Sequence, residues 1–436
     1  LYLNGTDASS RGYIARLSSD GQQLLSITVV ASEIFDLDTD SSDNLYVAAS
    51  DQGLIKLNSQ ADTILTHFSL PSGRYMNRVD AAKSGLAGGL SSGEQDDSSP
   101  TGGSVVVINS DGNVLGEMPG SAQYSLDIAI DEANHTIWIT GFKNVGGMAT
   151  ETERYPVDIP ILYGRSLGND PDNPDLAFGD IRIRGWDWEN RTTSAPAAPD
   201  PVVDARWLNL YTNNMADTRG FRLLMGHDGY LYVSLEFDGG NTPLRYSPLD
   251  LTRQAHVVGG DYHHQMANTT TVPKLALVRL EPKSGEEVLT QLYTNRLNSG
   301  LDNTVDISFG DIAMDDAGRI HLVGGSAAGL ADGVDFLPGA YSGGAYHIVY
   351  SPDFSTREFI GRLGTSGYNN AVAVAPDNRV ATGGYTGSRA FTTNAWMPTS
   401  GAEYDAFLAV ADLRPLYSFQ VSDHPRLAFQ PDDIPG

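Results

Sequence analysis

The sequence predicts an all-β fold, and three observations carry that expectation. A pattern of apolar stretch, Asp, short polar turn and small strand recurs at 35–50, 124–142, 221–237, 309–326 and 370–386. A degraded copy lies at 77–90, and 1–5 is the second half of another. Each copy alternates apolar and polar residues around an Asx or Gly turn, as two antiparallel strands do. Further hairpins with SDG or KSGE turns follow at 12–29, 103–118 and 274–294, and no long segment keeps a 3.6-residue period. Four strands per unit, at spacings of roughly 40 to 90 residues, describe the blades of a β-propeller.

Taken in order, the recurrences give seven blades in one domain over 1–436. The chain opens inside a strand, at "LYLNG", so the innermost strand of that blade must come from elsewhere. The tail at 424–430, "HPRLAFQ", is the expected source, because it would close the ring and remove the free sheet edges. Eight blades remain an alternative, since the span 143–220 is long enough to hold a diverged unit. Its Pro- and Asp-rich stretches favour loop insertions, which in a propeller gather on one face.

Two stretches carry a family likeness. "GGYTGSRAFTTNAWMPTSGAEYDAFLAVADL" at 383–413 resembles the secreted bacterial β-propeller-repeat proteins, and "GGSAAGLADGVDFLPGAYSGGAYHIVYSPD" at 324–353 is a looser copy. The resemblance is specific only over about 324–413. It implies an exported or surface-attached chain, and it supplies no catalytic residues.

Charge and composition exclude several classes. Lys and Arg total 28 against 54 Asp and Glu, a net charge of −26, which repels nucleic acid and anionic lipid. With no cysteine there are no disulfides, thiolate metal sites or cysteine nucleophiles. No apolar run is long enough to insert into a bilayer. The first residue is Leu, and the mid-strand start is read as a processed product, a fragment of a larger protein or a subunit of a fibre.

Few residues suggest chemistry. Tyr262, His263 and His264 stand together in "GGDYHHQMANTTT" at 259–271. Adjacent residues of an extended segment point to opposite sides, so the two imidazoles do not readily share a metal. Asp261 and the distant His227 and His256 are the available additional ligands. An alternative to a decorated loop is a polysaccharide lyase or hydrolase. It would use His227, Tyr262, His263 or His264 as base, with Arg222 and Arg245 clamping a uronate carboxylate. Arg222 falls on an expected inner strand, where an inter-strand ion pair is the plainer reading.

Trp186 and Trp188, two apart on a strand, are a candidate sugar-stacking pair or an aromatic cover on a blade. Asp36, Asp38, Asp40 and Asp43 are spaced like the start of a calcium loop, but lack its Gly and closing Glu. Asp170, Asp172 and Asp175 in "GNDPDNPD" are the better calcium candidates. Glycosylation sequons stand at Asn4, Asn134, Asn190 and Asn268. No nucleophile elbow, P-loop or H-E-x-x-H motif occurs. The expected function is therefore an extracellular, non-enzymatic binding or structural module. Its expected partners are proteins, its own copies or glycan, and it needs no cofactor except possible calcium.

Overall fold

The computed structural model describes residues 2–6, 12–93, 103–148, 155–186, 217–238, 253–258, 273–326, 334–335, 343–387 and 405–412, together with Ser247. Within those spans 22, 32, 72, 121–123, 294, 297–301, 304, 364–365, 376 and 378 are excepted. The fold is an all-β propeller. Its first sheet joins β1 (Tyr2–Thr6), β2 (Gly12–Leu17) and β3 (Leu24–Ala31). Blade one follows as β4 (Ile34–Thr39), β5 (Leu45–Ala49), β6 (Gly53–Leu57) and β7 (Ile64–Phe68). Blade two is β8 (Arg74–Ala81), β9 (Ala87–Gly93), β10 (Ser104–Ile108) and β11 (Val114–Pro119). Blade three is β12 (Tyr124–Asp131), β13 (Thr136–Met148), β14 (Tyr155–Ser166) and β15 (Ile181–Arg184).

Blade four is β16 (Thr218–Met225), β17 (Leu231–Asp238), β18 (Pro273–Glu281) and β19 (Glu286–Tyr293). A small ribbon of β20 (Asn295–Arg296) and β21 (Asp302–Asn303) leads to blade five. That blade holds β22 (Val305–Met314), β23 (Ile320–Ser326), β24 (Val334–Asp335), β25 (Gly344–Tyr350) and β26 (Arg357–Leu363). Blade six is β27 (Gly367–Val374), β28 (Arg379–Thr386) and β29 (Asp405–Asp412).

Each of these six blades begins with an inner strand, and the inner strands pack in series: β4 on β8, then β12, β16, β22 and β27. The sequence count of seven is thus corrected to six blades with an inner strand among the described residues. The first sheet has none, and the tail at 424–430 lies outside the described residues. The eight-bladed alternative loses part of its ground as well, because 143–148, 155–166 and 181–184 belong to strands β13, β14 and β15 of blade three.

The core is a series of layers between blades, which is why the strands alternate apolar residues toward both neighbours. Tyr46, Ala48 and Leu54 of blade one pack on Met76, Val79, Val106 and Ile108 of blade two. Leu90, Val105 and Val107 meet Ile128, Ile130, Ile137 and Ile139 of blade three. Hydrogen bonds at the turns lock adjoining blades further. Tyr46 donates to the Gly85 carbonyl (2.8 Å) and Lys56 to that of Ser110 (2.7 Å). Tyr232 and Arg279 hold the same strand positions in blade four, where Arg279 donates to the Pro352 carbonyl (3.0 Å).

The two faces differ. Connections between first and second strands, and between third and fourth, lie on one face. Most are tight, with left-handed residues at Asp43, Ala61, Gly85, Gly112, His135, Gly229, Gly285, Gly318 and Phe354. The connections 94–103, 187–217, 239–272, 327–343 and 387–404 join strand ends at the opposite face, whereas the long connection 167–180 of blade three lies on the tight-turn face. Antiparallel strand order forces this separation.

Candidate functional site

An inner strand has one edge that no other strand pairs, so its N–H and C=O groups need partners from elsewhere. The sequence supplies them at one repeated position. In all six inner strands the register with the second strand shifts at a bulge, immediately ahead of Asp36, Arg78, Asp127, Arg222, Asp311 and Ala371. A bulge re-aims the side chain next to it. Here the aim is toward the following blade.

Where the residue is Asp, its carboxylate accepts a backbone N–H from the next inner strand. Asp36 accepts from Val79 (3.0 Å), Asp127 from Leu223 (2.8 Å) and Asp311 from Val372 (3.1 Å). Where it is Arg, the guanidinium donates to a carbonyl of the next inner strand. Arg78 Nε donates to Leu126 (3.4 Å) and Arg222 Nε to Gly310. Acid and base alternate through the first five blades, and Ala371 ends the run. A second layer repeats the device: Asp38 accepts from Ala81 (2.6 Å) and Asp80 from Ile130 (2.7 Å).

These groups gather at the axis, where the charges of several blades act on one another. Burial raises the Asp127 carboxyl to about 6, against the pull of Arg78 and Arg222. Burial likewise raises Asp311 to about 6 despite Arg222. Asp36 is raised by burial although Arg78 and Arg222 oppose it. Asp38 and Asp80 are pushed up by burial, Asp38 also by the Asp80 charge and Asp80 also by the Asp127 charge. Burial and the neighbouring Arg78 charge bring Arg222 down to about 10. Perturbed carboxyls in a cleft often mark catalysis. Here each carboxylate is committed to a backbone N–H and each guanidinium to a carbonyl, so the cluster's chemistry is edge satisfaction.

A second buried constellation lies in blade five. The His321 Nδ1 and His347 Nε2 atoms are 3.0 Å apart, and His321 Nε2 is 3.4 Å from Asp315 Oδ2. Burial alone would raise Asp315. Hydrogen bonds from His321 and Arg319 overcome it and hold the carboxyl at about 2. Burial lowers both imidazoles, most strongly His347, on which the His321 and Arg319 charges add to the effect. His347 also meets the Phe359 ring edge-on at 5.6 Å. Both imidazoles are buried away from solvent, so the arrangement braces the blade and offers no substrate access.

Of the residues singled out in the sequence, those among the described residues are placed as follows. His227 is exposed on the tight-turn face, with Nε2 2.7 Å from the Asp315 carbonyl. Arg222 is the axial donor already described, 4% exposed, and not a free clamp. Of the lyase grouping only His227 and Arg222 are described, and Arg222 is committed to the Gly310 carbonyl at the axis. Tyr262, His263, His264, Arg245, Trp188, Asn190 and Asn268 lie outside the described residues. His256, a further ligand candidate, donates its backbone N–H to Glu287, and 256–258 runs beside β19 at the rim.

Trp186 is 2% exposed in the layer between blades three and four, beside Trp138, Leu162 and Leu223, so it cannot stack on a sugar. Asp170 pairs with Arg182 and accepts from Asp172 N (2.9 Å) and Asn173 (3.1 Å), while Asp172 lies 3.6 Å from Lys283. Asp175 is exposed. Asp170 is thus already engaged by Arg182 and by its own turn. The loop instead lines a shallow cleft of about 560 Å³ with Leu115, Leu167, Leu176 and Phe178. Among the described residues no group of three or more His, Asp or Glu is placed to hold a metal ion. Of the sequons, Asn4 lies within β1, and the Asn134 amide donates to Asp131 (2.7 Å) in a turn. The Asp run at 36–43 divides its labour: Asp36 and Asp38 are latches, Asp40 caps the turn and Asp43 takes its left-handed position.

No protein-family model and no curated protein matches the chain. Among solved structures it is similar to a protein of unknown function from Bacteroides caccae, at 9% identity over 74% of this chain and 81% of that one, with a TM-score of 0.34. It is also similar to the WD40 β-propeller domain of Doa1, at 8% identity over 88% of this chain and 85% of that one, with a TM-score of 0.43. Likenesses this faint carry no argument about function, and the propeller assignment stands on the strand order itself.

Proposed function

We propose that this chain is a non-enzymatic propeller that works as a binding or structural module outside the cell or at its surface. The observation that carries the reading is the division of labour between the faces. One face carries mostly tight turns, with the connection 167–180 among them, and the axis carries self-satisfied latches, whereas the other long connections join strand ends at the opposite face, where propeller insertions take on partners. A net charge of −26 keeps nucleic acid and anionic lipid away from that face, leaving proteins, its own copies or neutral glycan as partners. The likeness to secreted bacterial propeller-repeat proteins at 324–413 favours an exported chain. The ring is proposed to close as seven blades, with the first sheet completed by the tail.

The test is to replace residues 260–271 with a Gly-Ser linker of equal length in the full chain, leaving 253–258 on β19. The intact and altered proteins are then compared for binding to immobilised neutral and acidic polysaccharides and for self-association by sedimentation velocity. Loss of binding or association with an unchanged melting temperature supports the reading. Release of unsaturated uronate products from an anionic polysaccharide, abolished by His263→Ala, would overturn it in favour of a lyase.

A further inference from the structure

In six sheets the outermost strand shifts register against its neighbour close to its start, and this shared bulge aligns the six strands position by position. Ile27 of β3 then corresponds to His67 of β7, Glu117 of β11, Arg184 of β15, Thr290 of β19 and Ile360 of β26. These residues fall into two groups. His67, Glu117 and Arg184 are exposed, on edges that no further strand pairs among the described residues. An ionisable side chain at such an edge keeps other chains from adding to it. Thr290 and Ile360 are buried, at 1% and 6% exposed. In both of their blades the connection between the second and third strands returns along the rim. Val257 bridges Thr290 in parallel, and β24 pairs in parallel with β26. An uncharged residue at this position therefore goes with an added strand.

β3 combines the residues of the second group with the edge of the first. Ile27 is 57% exposed, with Leu25 (51%) and Val29 (52%) beside it on the same face of the strand. Residues 21–32 contain no ionisable side chain, and no strand pairs the outer side of β3 among the described residues. The chain cannot cap this edge as it caps β19 and β26. The matching connection, 7–11, is far shorter than 239–272 or 327–343, too short to round the edge and return.

We propose that the outer edge of β3 is an interface between two copies of this chain, joined by antiparallel β3–β3 pairing about a two-fold axis at Ile27. Two properties of the strand point to a second copy. Its sequence is self-complementary about Ile27. The pairing sets Leu25 opposite Val29, Ser26 opposite Thr28 and Ile27 opposite its own counterpart, so apolar residues meet on one face and hydroxyls on the other. An axis normal to the sheet keeps those faces matched. The second property is charge. At a net charge of −26 two copies repel each other wherever their carboxylates meet, and the uncharged edge over 21–32 is where they can approach. Two three-stranded sheets become one of six strands, with main-chain hydrogen bonds along the seam. The surface lies on the rim, apart from the insertion face, and does not depend on what that face binds.

Sedimentation velocity of the full chain at concentrations rising to about 100 μM should show a monomer–dimer equilibrium. Ile27→Lys gives β3 the kind of charge that its counterparts on β7, β11 and β15 supply, and sets like charges opposite each other. It should weaken dimerisation about tenfold or more, with an unchanged melting temperature, because the side chain is more than half exposed. The chain has no cysteine, so Ile27→Cys should yield a disulfide-linked dimer on oxidation, whereas His67→Cys at the matching position of β7 should stay monomeric. A native chain that remains monomeric throughout, or a dimer that Ile27→Lys leaves intact, overturns the interface. A dimer that Ile27→Lys disperses but Ile27→Cys does not link overturns the pairing about Ile27. The dimer should persist when 260–271 is replaced, which separates this result from the test of the insertion face, and its loss there would overturn the rim as the site of association.

Discussion

The Asp36 carboxylate on β4 accepts the Val79 N–H on β8 at 3.0 Å, across the boundary between two blades. Backbone groups on the axial edge of a propeller have no strand to pair with. Leaving one buried without a partner costs about 1–3 kcal/mol. The alternation of Asp and Arg meets this by chemistry alone, an acceptor for the N–H and a donor for the C=O. Association of neighbouring blades is thereby written into one residue per repeat.

Asp127 gives the cleanest single-site test. Asp127→Ala leaves the Leu223 N–H without its acceptor and should lower stability by about 1–3 kcal/mol in urea unfolding. Asp127→Asn keeps an acceptor oxygen and should lose clearly less. Equal losses in the two variants would mean that the carboxylate contributes by packing rather than by the hydrogen bond.

The raised axial carboxyls set a direction for pH. Asp127 and Asp311 titrate near 6 in the folded protein, above the ordinary value for Asp of about 3.9. Their contribution is therefore fully present below pH 4 and lost as pH rises through 6. Relative to Asp127→Asn/Asp311→Asn, the native chain should lose melting temperature between pH 4 and pH 7. A difference that does not change across this range would contradict the raised values.

The histidine pair works the other way. His347 and His321 are held below the ordinary value for His of about 6.5. The folded state resists their protonation, so stability falls as pH drops below 6.5. His347→Phe should remove much of this acid sensitivity when melting temperatures are compared from pH 7 to pH 5. An unchanged slope would place the sensitivity elsewhere.

Trp186 separates packing from binding. Trp186→Ala empties a large site in a buried layer and should cost about 3–5 kcal/mol. If it instead left the melting temperature intact and abolished binding to a polysaccharide, the burial assignment would be wrong.

Period-two alternation and Asx turns made the strands legible in the sequence, because those signals are local. The repeat at 221–237 became β16 and β17, and "DLDTDSSDN" became a turn rather than a calcium loop. The axial latches were present in the same repeats, four residues before Asp40, Asp131 and Asp315. They were missed because Asp36 and Arg78 look unrelated until the free edge they serve is seen to need both an acceptor and a donor. His227 was legible only as a residue type, and the structure places it in the turn after β16, while His264 lies outside the described residues. Trp186 was ambiguous for want of knowing which sheet face a neighbouring blade covers.

The most direct test of the account is hydrogen exchange at the Leu223 amide, which belongs to an edge no strand pairs. In the native protein it should exchange only with global unfolding, and in Asp127→Ala it should exchange by local opening, faster by about tenfold or more. Rapid exchange of the Leu223 amide in the native protein, or equal rates in the two proteins, would contradict the latch.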